Sequence, residues 1–84
     1  MNEYYKTSGF YLAAFLYTKG LELVSIDKIS HPGRSNFVFV DSPERETFVQ
    51  AFNFAKENDQ GVMVDARQIT MATKLLKEKL YQEK

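Results

Sequence analysis

The chain has 84 residues, with 11 Lys+Arg against 11 Asp+Glu, one His and no Cys. That length supports one domain, and 44% apolar with 14% aromatic residues is enough for a folded core. Zero net charge disfavours a strongly basic nucleic-acid clamp, and the missing Cys rules out disulfides, Cys-ligated zinc and a thiol nucleophile.

The elements follow in chain order. Met1–Lys6 reads as a short polar and aromatic lead-in. Thr7 and Ser8 offer hydroxyls to cap a helix running from about Gly9 to Lys19 and stopped by Gly20, which tolerates positive φ. The interior of that helix, Phe10 to Tyr17, is apolar on every side, as in a central helix or one buried in an oligomer. Leu21–Ile29 reads as a strand, Ser30–Ser35 as a Pro-Gly turn, and Asn36–Val40 as a second strand, giving an antiparallel hairpin. Phe37 and Phe39 share one face of the second strand and Val38 and Val40 the other. Both faces are apolar, so a cover is expected on each side, from a helix or a partner.

Asp41-Ser42-Pro43-Glu44 predicts a helix start, with Ser42 or Asp41 as cap and Pro43 in the first turn. Phe48, Val49, Phe52 and Ala55 lie on one face of that helix, and Asn58-Asp59-Gln60-Gly61 ends it. Val62–Val64 reads as a short third strand or a connector. Asp65 caps the final helix, with Gln68 as its capping-box partner. Ile69, Ala72, Leu76 and Leu80 form the core stripe, helped by Leu75. Lys77, Lys79 and Lys84 suit the helix C-terminus. The expected fold is therefore a single small α+β domain over residues 1–84, in the order α-β-β-α-(β)-α, with an antiparallel hairpin packed by three helices.

The stretch Tyr5-Lys6-Thr7-Ser8-Gly9-Phe10-Tyr11-Leu12-Ala13-Ala14-Phe15-Leu16 resembles the opening of a family of short bacterial and phage proteins classed as a domain of unknown function. Members of that family read roughly Tyr-x-Thr-Ser-Asp-x-Tyr-Leu-Ala-Ala-x-Leu. Further matches are Gly20, Phe37-Val38-Phe39 ending in Asp41, Gly61 with Val64, and Leu76-Lys77. Gly9 departs from the pattern, standing where the family has Asp. The resemblance implies a phage or mobile-element setting, with a genome-maintenance, regulatory or host-interaction role. It brings no catalytic residue with it.

The residues speak against an enzyme. His31 is the lone His and sits in the turn, where Ser30 and Ser35 flank it without a rigid third group. Glu44 and Glu46, two apart on a helix, diverge. Asp27 with His31 supplies too few ligands for a metal, and Asn58–Gly61 is too short for a calcium loop. The glycines at 9, 20, 33 and 61 are scattered, with no phosphate-binding or dinucleotide signature. No cofactor, metal or small-molecule substrate is expected. The longest apolar run has eight residues against the roughly 20 a bilayer requires, and no signal peptide is evident, so a cytoplasmic address is expected.

Three binding roles remain. The first is self-association through the apolar first helix, with Tyr11, Phe15 and Tyr17 as contact residues and a homo-oligomer as product. The second is accessory nucleic-acid binding. Lys28, His31 and Arg34 would act at the hairpin tip, and Arg67, Lys74 and Lys77 as a strip on the last helix. Phe37 and Phe39 read as core, with a stacking platform as their functional alternative. The third is docking on a host defence protein through the acidic residues Asp41, Glu44, Glu46, Glu57 and Asp59. The neutral total conceals segment charges of +1 for residues 1–40, −3 for 41–60 and +2 for 61–84.

Overall fold

A computed structural model describes residues 3–31 and 33–82, excepting the side chain of His31. Pro32 of the expected turn, Lys84 of the last helix and the side chain of His31 therefore lie outside the described residues. The element order is β1 (Tyr4–Thr7), α1 (Phe10–Thr18), β2 (Leu23–His31), β3 (Arg34–Val40), α2 (Arg45–Phe54), a 3-10 turn (Gln60–Val62) and α3 (Ala66–Tyr81). The α+β architecture with three helices and an antiparallel hairpin is as the sequence predicts.

The third strand is not where it was expected. It is β1, inside the segment read as a lead-in, and it pairs antiparallel with β3 from Tyr4↔Val40 to Thr7↔Phe37. The sheet order is β1-β3-β2, which makes β3 central. Both edges of β3 are thereby filled, and no edge of it remains for Val62–Val64 to join. Those residues take the connector alternative: they close the 3-10 turn and run on extended, with Asp59 accepting from the Gly61 N–H at 2.7 Å.

The start of α1 also departs from expectation. Gly9 is the cap residue, and no side chain caps the helix; Thr7 Oγ1 accepts from the Gly9 N–H itself at 3.1 Å. Its end follows expectation. Gly20 takes φ +106°, its N–H donates to Tyr17 O, and the Leu21 N–H donates to Leu16 O. This is the paired-bond termination that a left-handed residue after the helix permits. Leu16 and Leu21, brought together by it, are both core residues.

The helix α2 starts later than the sequence suggests. Pro43 and Glu44 form a turn, Arg45 is the first helical residue, and no side chain caps the helix. Ser42 Oγ is buried without a hydrogen-bond partner. Asp41 accepts from its neighbour's N–H and binds Arg45 instead, Nε to Oδ1 at 3.0 Å and Nη2 to Oδ2 at 3.3 Å. The Arg45 guanidinium lies 4.3 Å from the Tyr5 ring centre, so one side chain ties α2 to β1 and to the end of β3. Its bond lowers the Asp41 pKa, and the carboxylate raises that of Arg45.

The core joins Ala13, Ala14, Phe15 and Leu16 of α1 to Phe37 and Phe39 of β3 and to Ala72 and Leu76 of α3. Helix α1 is thus the central helix, its Ala13–Leu16 segment buried among the sheet, α2 and α3 while Tyr11 and Tyr17 stay exposed. Ile69 and Leu80 complete the α3 stripe as half-buried residues. Asp65 caps α3 as expected, accepting from the N–H groups of Arg67 and Gln68 at 2.8 and 3.2 Å. Helix α2 is the shallowest of the three α-helices, with no fully buried residue. It is held by Phe52 against Phe15 and by Lys19, whose ammonium sits over the Phe15 and Phe48 rings and donates to Met63 O. The thickness of 20 Å corresponds to two layers, one sheet and one layer of helices.

Candidate interaction surfaces

The register sorts the sheet residues by face. Phe37 and Phe39 point into the helices, and Tyr5, Leu23 and Ile26 pack with them. Strand alternation then sends Tyr4, Lys6, Val38 and Val40 to the opposite face. Ser25 pairs with Val38 and Asp27 with Asn36, so they join that face. No helix covers it. Val38 is shielded by its neighbours, but Tyr4, Val24 and Val40 remain 51%, 47% and 37% exposed.

Asp27 organises the outer end of β2. Its Oδ1 accepts from the N–H groups of Ile29 and Ser30 at 3.0 and 3.1 Å. The Ser30 hydroxyl, then those N–H groups and least of all Lys6, lower its pKa to about 2. The result is an irregularity between Asp27 and His31 that interrupts pairing with β3.

The expected basic residues lie in two places, on the β2–β3 hairpin and along α3. Lys28 is exposed and reaches across to the end of α3, donating to Gln82 O at 3.0 Å. Arg34 is exposed beside the turn, cross-strand from His31. Arg67 stands at the other end of α3, 94% exposed and 3.9 Å from Asp65. Lys74 and Lys77 are exposed along α3, away from the buried Ala72 and Leu76. Arg67 and Lys77 are separated by roughly 15 Å of helix rise. The cation that does meet Lys28 is Lys79, which lines the same cavity. The sequence reading assigned Lys79 only to the helix dipole; the helical phase that puts it on the β2 side of α3 was the signal available.

Phe37 and Phe39 are 2% and 0% exposed, so they are core and present no stacking platform. Of the three residues proposed for self-association, Tyr11 is 70% exposed and Tyr17 36%, whereas Phe15 is buried in the core. Among the described residues no group of three His, Asp or Glu side chains is placed to hold a metal ion, and no helix is long and apolar enough to cross a membrane.

The fold defines a two-layer α+β domain with its helices on one side of a three-stranded antiparallel sheet. The chain belongs to DUF5659, a domain of unknown function, whose family pattern matches residues 2–82. Neither the curated proteins nor the solved structures contain a match to it.

Proposed function

We propose that this chain is a non-enzymatic interaction module, cytoplasmic and of phage or mobile-element type, that pairs with a second copy of itself through the open face of its sheet. One observation carries the reading. The central strand is apolar on both faces, yet the helices cover only the Phe37 and Phe39 side. The open face carries Lys6 on β1 beside Val38 and Asp27 on β2 beside Asn36, so its two sides are opposite in charge. A two-fold axis through it sets Lys6 of one copy toward Asp27 of the other. The strand spacing and length make this face roughly 350 Å². That is below the roughly 800 Å² per partner of a standard interface, so the dimer is weak and concentration-dependent.

Sedimentation equilibrium over a concentration series tests this. The expected result is a monomer–dimer equilibrium that Val40→Asp shifts to monomer, with unchanged circular dichroism. A wild-type chain that stays monomeric at the highest concentrations overturns it.

A further inference from the structure

We propose that the free edge of β2 and the flank of α3 form a second binding site, for a short extended peptide carrying acidic side chains. The strand β2 pairs with β3 alone, leaving its other edge without a strand among the described residues. The N–H of Val40 donates to Glu22 O, which makes Leu23↔Phe39 a non-hydrogen-bonded pair. The Leu23 N–H and C=O therefore point outward, to that edge.

A cavity of about 480 Å³ lies along this edge. Its lining takes Leu23 and Ile26 from the helix side of β2 and Val24 and Ser25 from the open side. A cavity seen by both faces of one strand sits at the edge of that strand, where an added strand would lie. Its other wall is α3, through Lys79 and Gln82. Tyr17 belongs to this lining and also to a neighbouring cavity of about 600 Å³, whose α3 wall includes Met71 and Leu75. The two cavities follow α3: the first sets Met71 and Leu75 beside Asp65 and Arg67 at its N-terminal end, and the second ends on Lys79.

Charge selects the occupant. Among the described residues the edge cavity is lined by Lys28 and Lys79 and by no acidic side chain. Lys28 uses one of its three donors on Gln82 O, which leaves two for a ligand carboxylate. A second copy of β2 fits poorly, because it would bring another Lys28 to the same edge. The bulges at Leu23/Ser25 and Asp27/His31 limit regular pairing to a short stretch, as edges protected against indiscriminate pairing do. A peptide adding here pairs over about four residues and places alternate side chains against α3. The site shares Val24 and Ser25 with the face of the dimer proposed above, whereas its backbone edge and its two lysines, Lys28 and Lys79, lie outside that face.

The test is selection of random linear peptides displayed on phage against the folded wild-type chain. Enriched peptides are then measured by fluorescence polarisation, with single N-methyl groups scanned along their backbones. Expected are acidic sequences, an affinity loss on N-methylation at every second residue, and a loss of roughly ten-fold or more with Lys28→Glu plus Lys79→Glu. Both lysines are exposed, and circular dichroism verifies that the double variant folds. Three results each overturn the proposal: no enrichment, N-methyl losses without period two, or affinity unchanged by the charge reversals.

Discussion

Leu76→Ala tests the packing of the domain most directly. Leu76 is 0% exposed, in the middle of α3, within the cluster that includes Ala13, Phe15 and Leu16 of α1. Truncating a fully buried Leu loses transfer energy and leaves a cavity, together about 2–5 kcal/mol. A chain of this length has a total stability of roughly 4–12 kcal/mol, so the substitution removes a large part of it. In a domain this small each kcal/mol lowers Tm by about 4–8 °C, and a loss of about 3 kcal/mol becomes roughly 12–24 °C. Leu75→Ala, one residue away but half-buried beside a surface cavity, is expected to cost about 1 kcal/mol. Ile29→Ala, at 89% exposure, is expected within about 0.5 kcal/mol of wild type. Urea denaturation followed by circular dichroism ranks the three, with the slope m held constant. A Leu76→Ala cost below about 1 kcal/mol, or one no larger than that of Leu75→Ala, would refute the placement of α3 on α1.

Three further predictions concern local structure. Gly20→Ala meets nothing within 4 Å, so its cost is the backbone strain of a side chain at φ +106°, about 1 kcal/mol in thermal or urea unfolding. Ser42→Ala removes a buried hydroxyl that has no partner, so stability is expected unchanged or higher by up to about 1 kcal/mol. A loss of similar size would instead mean that Ser42 caps α2 after all. The last concerns acid. The folded pKa of Asp27, about 2, lies below its ordinary 3.8, so between these values the folded chain binds fewer protons than the unfolded one. Its contribution is present above about pH 4 and fades as pH falls toward 2. The stability difference between wild type and Asp27→Ala is expected to shrink over that window, and a difference independent of pH would show that the carboxylate carries none of it.

Much of this fold is legible residue by residue. The α3 cap at Asp65, the stop at Gly20, the hairpin around Gly33, and the burial of Phe37, Phe39 and Leu76 all follow from local stereochemistry and apolar period. The site is less legible. Lys28, Arg34, Arg67, Lys74 and Lys77 are recognisable as exposed cations, and Arg67 follows the Asp65 cap at the start of α3, yet nothing along the chain says that Lys28 and Lys79 share a cavity.

The sequence by itself determined the fold class, the helices, the hairpin and the residues of the core, because each rests on interactions between near neighbours or on a period of 2 or 3.6. Only the tertiary structure decided which segment became the third strand. Tyr4–Thr7 and Val62–Val64 are both short and plausible, and pairing across more than thirty residues, between Tyr4 and Val40, chose the first. That choice made β3 central. With every helix on the Phe37 and Phe39 side, the opposite face and the outer edge of β2 were left open. Which surfaces a chain has left to offer is a property of the packed whole, since an apolar residue is a binding residue only where nothing in its own fold covers it.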